Sequence, residues 1–308
     1  MERRLTAKTV ALPVNGEKGR RQRCGNLSSP RLRGEDAGRQ VRGGADFSER
    51  VIAVSTPSIA TQNLTIRFGG HAAVDNVTCA FRPGELTVIV GPNGAGKTTW
   101  FNLVSGQLKP TEGRIFKGEA DITSLSPSAR AKAGIGRAFQ LTNLFPKLTV
   151  LENVRLAVQA RAGQGPRIFS RAAALTEIRD RAQSFVEATR LSSVAHLPAA
   201  ALPHGDQRKL EVAMLAAMEP DVFMFDEPTA GMSVDEAPAI LELIAGIKKD
   251  TGKTILLVEH KMDVVRALAD RIVVLHNGTL IADGRPAEVM ALPIVRDIYL
   301  GIGAEDVA

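Results

Sequence analysis

The sequence predicts an α/β fold, with a parallel-sheet core, an antiparallel β subdomain and an α-helical subdomain. Three observations carry that prediction. Short apolar runs alternate with helix-forming stretches as Val222–Phe225, Val234–Lys249, Thr254–Val258, Met262–Ala269 and Arg271–Leu275. Such a βαβαβ order requires parallel neighbours. The apolar run Leu86–Val90 leads through a glycine-rich loop into the helix-compatible stretch Thr99–Val104. Between these two regions, Val150 to Arg190 is rich in the helix formers Ala, Leu, Arg, Gln and Glu, interrupted at Gly163-Gln164-Gly165-Pro166. That interruption separates two helices of a subdomain expected over about 141–218.

Taken in order, residues 1–55 are expected to form a disordered basic extension and 56–303 the folded domain. Residues 1–50 contain twelve Arg or Lys against six Asp or Glu, so they carry the whole net charge of +6. Residues 15–46 are Gly-, Arg- and Ser-rich with no periodicity, the composition of a chain that cannot bury a core. A basic tail can bind nucleic acid or anionic lipid, but a solvated tail is expected here, with no specific nucleic-acid partner. A misassigned translation start also accounts for it, and a transit peptide fits less well because such segments are poor in acids.

Order is expected from Ile59. Ile59–Phe68 and Val74–Phe81 read as antiparallel strands, and Arg82-Pro83-Gly84-Glu85 supplies turn chemistry before Leu86–Val90. Arg114–Phe116 and Gly136–Phe139 are short strand candidates. Leu202–Gln207 opens a helix, and Ser233 with Glu236 forms a capping box ahead of another. Asn277-Gly278 is a hairpin turn joining Arg271–Leu275 to Thr279–Ala282, and Pro286 opens a short terminal helix. No apolar run approaches the roughly 18 residues of a membrane span. Cys24 and Cys79 have neither metal-binding nor redox spacing.

The chemistry centres on Gly91-Pro92-Asn93-Gly94-Ala95-Gly96-Lys97-Thr98, a complete G-x-x-x-x-G-K-[ST] loop between a strand and a helix start. Its glycines let backbone N–H groups wrap a phosphate chain, and the helix N-terminus adds partial positive charge. Lys97 is expected to reach the β- and γ-phosphates and the Thr98 hydroxyl to ligate Mg²⁺, with Gly91 through Thr99 lining an ATP site. A P-loop NTPase core is therefore expected. Asp226 and Glu227 end the apolar strand Val222–Phe225, and ligands of parallel sheets sit beyond the carboxyl ends of strands. A strand-end acid pair can instead cap the following turn. With the phosphate loop present, Asp226 suits a hold on Mg²⁺, partly through water, and Glu227 the polarisation of an attacking water.

Further pieces fall into register: Phe68 before the first hairpin, Gln140 after a strand, Leu202-Pro203-His204-Gly205-Asp206-Gln207 at a helix start, Ala230-Gly231-Met232, and His260 after Thr254–Val258. In this order they resemble the nucleotide-binding subunit of an ATP-binding cassette (ABC) transporter, over Ile59 to about Gly301. The resemblance implies that Phe68 stacks on adenine, that Gln140 touches Mg²⁺ and senses the transporter, and that His260 contacts the γ-phosphate and attacking water. It implies that Leu202, Pro203, His204, Gly205, Asp206 and Gln207 form the signature presented to a partner's ATP, with Ala230–Met232 as the dimer-contact loop. Within the family, Gly134–Gln140, Leu144–Val154, Phe225–Met232 and Tyr299-Leu300-Gly301 are similar to bacterial branched-chain amino-acid importers; urea and short-amide importers share much of the pattern.

The implied partners are a second cassette, two membrane permease subunits and a periplasmic solute-binding protein. The implied location is peripheral, on the cytoplasmic face of the bacterial inner membrane. Phe145, Pro146 and Leu148 suit either a staple for the next helix or a socket for a membrane-subunit helix. Pro203 stands where the family's signature has serine, and proline offers neither hydroxyl nor N–H. A defect that a homodimer would carry twice favours a heterodimer. Soluble cassette proteins of translation or repair usually carry two cassettes or a long coiled-coil insertion, neither visible here. An Asn-Lys-x-Asp guanine motif is also lacking, which counts against a GTPase.

Overall fold

The computed structural model describes residues 56–138, 144–162, 172–232 and 237–302. Gln140, the Ser233–Glu236 capping box, the 163–166 interruption, Phe139, Cys24 and the 1–55 extension lie outside the described residues. In chain order the first half contains β1 (Ile59–Phe68), β2 (His71–Phe81), β3 (Leu86–Val90), α1 (Lys97–Ser105), β4 (Glu112–Lys117), β5 (Ala120–Asp121), α2 (Pro127–Lys132) and β6 (Ile135–Ala138). Next come α3 (Val150–Arg161), α4 (Ala172–Ala188), two 3₁₀ turns (Ser192–Val194 and Ala199–Ala201) and α5 (His204–Ala217). The remainder is β7 (Val222–Asp226), α6 (Ala237–Lys248), β8 (Thr254–Val258), α7 (Met262–Leu268), β9 (Arg271–His276), β10 (Thr279–Gly284), α8 (Pro286–Ala291) and α9 (Pro293–Ile302).

The central sheet runs β10-β9-β3-β8-β7-β6, parallel throughout except for the edge strand β10. Its middle strands β3, β7 and β8 are buried at every position and mostly apolar, because both faces are covered. The two-residue period divides each strand between two cores. Ile89, Met224, Leu256, Val258, Val273 and Leu275 pack toward α1 and the antiparallel sheet. Leu86, Val88, Val90, Phe223, Phe225, Ile255, Leu257, Ile272 and Val274 pack toward α5, α6 and α7.

The second sheet is antiparallel, in the order β2-β1-β4-β5. Trp100 and Phe101 of α1 lie in the same core as its Ile59, Leu64 and Phe81, so the phosphate-loop helix is wedged between the sheets. A third core joins α3, α4 and α5 through Val154, Val158, Ile178, Ala182, Val186, Leu210 and Ala213. The hairpin turn expected at Asn277-Gly278 has both residues in the left-handed region, at φ 48° and 77°, as a type I′ turn requires. Three elements go beyond the sequence reading: β5, α2 and α9.

Candidate nucleotide site

The phosphate loop is fixed by close backbone approaches. Gly91 has φ 148°, and a Cβ there would lie 2.0 Å from the Leu275 carbonyl oxygen. Gly96 has φ 96°, and its Cβ would meet the Ala73 carbonyl at 2.4 Å. Any side chain at either position would push the loop off β9 or β2. The hairpin turn braces the loop from outside: Gly278 N–H donates to Ala95 O (3.1 Å), and Gly278 O accepts from Asp75 N–H (2.8 Å). A cavity of about 180 Å³ results, lined by Ala73, Asn93 to Thr99, and Glu227.

Lys97 begins α1 and is buried. Its Nζ donates to Gly91 O at 2.6 Å and Pro92 O at 2.8 Å, so the ammonium curls back over its own loop. Burial lowers its pKa from the ordinary lysine value, and the charges of Glu227 and Asp226 oppose that. The negative charges of Asp226, the last residue of β7, and Glu227, the first past it, thus lie within reach of the Lys97 ammonium.

Glu227 is the first residue past β7 and is left-handed at φ 48°, a strained geometry that concentrates at functional sites. Its N–H donates to Val258 O and its carbonyl accepts from Ala230 N–H, each at 3.0 Å, which holds the turn against β8. Glu227 Oε1 lies 2.6 Å from His260 Nε2. Behind them, Thr229 Oγ1 donates to Glu259 Oε1 (2.7 Å) in a buried contact, and Glu259 Oε2 accepts from His260 N–H (3.2 Å). Glu259 thus ties the two strand-end turns together. The sequence signal for it was an acid directly ending a buried strand.

Asp226 is fully buried and pairs with Arg137 of β6, Oδ2 to Nη2 at 2.8 Å. Burial raises the Asp226 pKa, and the Arg137 charge is the leading opposition. Arg137 lies within the Gly134–Gln140 stretch that is similar to branched-chain amino-acid importers. A cation buried within a sheet strand must be paired or hydrogen-bonded, and Asp226 meets that need.

The other predicted residues are placed elsewhere. Phe68, at the end of β1, is about half exposed and outside the cavity lining. None of Leu202–Gln207 lines this chain's phosphate cavity. Helix α5 starts at His204, within the Leu202–Gln207 stretch expected to open a helix, with Pro203 as its N-cap at φ −56° and ψ 157°. Proline's fixed φ and missing N–H suit it to stand just outside the first turn. The first helical bond joins Gln207 N–H to Pro203 O, so the N–H groups of His204, Gly205 and Asp206 point from the helix end. Phe145 is half exposed and held outward by buried Asn153, whose Oδ1 accepts from Phe145 N–H and whose Nδ2 donates to the Phe145, Leu148 and Thr149 carbonyls.

Residues 74–230 match the family described as ABC transporter. The chain is 40% identical over 253 residues to the high-affinity branched-chain amino acid transport ATP-binding protein LivG of Salmonella typhimurium, covering 80% of this chain and 99% of that one. It is similar to an ATP-binding cassette of an ABC transporter solved in its ADP conformation, with TM-score 0.68, 30% identity, and 80% and 99% of the two chains covered. A cassette solved as a dimer in a post-hydrolysis state, bound to ADP and Pi, matches with TM-score 0.63, 28% identity, and 74% and 98% coverage. A glycine-braced phosphate loop, the strand-end acid Glu227 in its cavity lining and this breadth of similarity have one reading: the chain belongs to the ABC transporter family, as a nucleotide-binding ATPase.

Proposed function

We propose that this chain is the ATP-hydrolysing subunit that energises import of a small solute, branched-chain or other hydrophobic amino acids, through separate membrane subunits. The similarity to LivG, a branched-chain amino acid transport ATP-binding protein, supports this choice of solute. Among the described residues no helix is long and apolar enough to cross a membrane, which fits a peripheral subunit on the cytoplasmic face of the inner membrane. Its partners are a second cassette, two permease subunits and a periplasmic solute-binding protein.

The observation that carries the reading is the 2.6 Å contact between Glu227 and His260 at the rim of the phosphate cavity. With Oε1 held by His260, Glu227 keeps Oε2 to accept a proton from an attacking water. His260 orients that carboxylate and contacts the γ-phosphate and the attacking water. Lys97 neutralises the β- and γ-phosphates, and Phe68 stacks on adenine.

The residues also fit Mg²⁺. Asp226 keeps a buried Oδ1 without a partner, an acceptor suited to a cation's hydration shell. Thr98, Asp226 and Gln140 would hold the ion, which supplies charge neutralisation at the phosphates. The His204–Asp206 amides and the Gly205 backbone close over the nucleotide of a partner cassette, heterodimeric because Pro203 weakens that contact.

The test separates binding from turnover. Lys97→Ala should weaken ATP binding. Glu227→Gln should leave it intact, slow turnover by roughly 10²–10⁴ and trap an ATP-bound dimer. Equal loss of binding in both variants would remove Glu227 as the base.

A further inference from the structure

Arg137 joins three elements with one guanidinium. It reaches Asp226 Oδ2 on β7 at 2.8 Å, and Asn102 Oδ1 and Ser105 Oγ on α1 at 2.6 and 3.0 Å. Its charge also sits over the Phe101 ring, 5.7 Å from the centroid. Both partners of the ion pair are nearly or fully buried, at 7% and 0% side-chain exposure. Water therefore screens the pair little, and its geometry is fixed by packing.

The two oxygens of Asp226 are unlike. Oδ2 is taken by Arg137, whereas Oδ1 is buried and unpartnered. Because α1 is the helix that begins at Lys97 and Thr98, Arg137 ties the aspartate to the same rigid body that carries the phosphate loop. Removing it would leave Asp226 free to rotate and an uncompensated charge in the core.

We propose that Arg137 is a positioning residue: it locks Asp226 onto α1 so that the free oxygen Oδ1 is presented, at a fixed place, to the magnesium that accompanies the nucleotide. This rests on the reading of Asp226 as a magnesium-holding residue. Lysine would keep the charge on Asp226 but cannot fork to Asn102 and Ser105 as well. Residues that orient a metal-holding group in this way typically change metal affinity by 10- to 100-fold.

The experiment measures binding of ATP to the full chain by competition with a fluorescent ATP analogue, once with excess Mg²⁺ and once with EDTA. Arg137→Ala should weaken binding roughly 10- to 100-fold with Mg²⁺ and leave the EDTA value within about twofold. Arg137→Lys and the pair Asn102→Ala, Ser105→Ala should show smaller losses of the same selectivity, and they decide the matter if Arg137→Ala does not fold. Equal loss in both media would make Arg137 a purely structural residue, and tighter Mg²⁺-dependent binding would make it a restraint on Asp226; either overturns the proposal, as does no change. Asp226→Asn run in parallel separates the two readings. Selectivity lost there but not at Arg137 refutes the positioning role alone, whereas no selectivity at Asp226 refutes the magnesium reading itself.

Discussion

At the scale of single residues, the site works by giving each polar atom one fixed partner and leaving one atom free. Glu227 spends Oε1 on His260, and Asp226 spends Oδ2 on Arg137. Pro203 breaks that economy. It caps α5 with no side-chain acceptor for the first-turn N–H groups. Its φ and ψ suit serine, so Pro203→Ser should stabilise the protein by about 0.5–2 kcal/mol through a new N-cap, read as a raised melting temperature. In the proposed two-cassette arrangement the same hydroxyl would face the partner's γ-phosphate, where a charged hydrogen bond is worth about 1.5–3 kcal/mol. In a two-cassette complex carrying Glu227→Gln here, so that only the partner's site turns over, Pro203→Ser should speed hydrolysis by about tenfold or more. A raised melting temperature with unchanged turnover would limit Pro203 to a helix-cap role.

At the scale of elements, α1 is held at both ends. Gly96 and the loop set its start, and buried Arg130 of α2 closes its end, donating to the Leu103, Val104, Leu125 and Thr123 carbonyls. A cation at a helix C-terminus is favourable, and here it also satisfies carbonyls that no water reaches. Arg130→Ala should therefore destabilise by about 3 kcal/mol or more, seen as an early denaturant midpoint with an unchanged slope. A loss under about 1 kcal/mol would show that the carbonyls find other partners.

The central strands were legible in the sequence because strands buried on both faces are written as nearly continuous apolar runs, and the phosphate loop because its glycines and Lys97 sit between one such run and a helix start. The strand order was not. Nothing local places β3 between β8 and β9, since that neighbourhood is a product of crossover packing. Helix α2 was passed over although Ser126 caps it and Pro127 opens it, because six residues leave no periodicity to read. Arg130, Arg137 and Glu259 were missed for a related reason: a charged residue looks solvent-exposed until the fold supplies its buried partner.

At the scale of the molecule, two cores sandwich the central sheet, and a third core makes the helical hairpin α3–α4 one body with α5. Among the described residues the first hydrogen bonds of this body are Ser58 N–H on Phe81 O and Thr254 Oγ1 on Ser58 Oγ. The residues before them hold the net charge and little apolar surface. A chain starting at Ser55 should keep its melting temperature and ATPase rate; a large drop in either would mean that the extension is part of the fold. Transport is the property that only the whole assembly has, and it tests the central claim most directly. In cells lacking their own copy of this gene, wild-type chain should restore uptake of labelled leucine, isoleucine or valine. Glu227→Gln, present at the membrane in equal amount, should restore none. Uptake restored by Glu227→Gln, or restoration of urea uptake with no effect on the amino acids, would contradict the account.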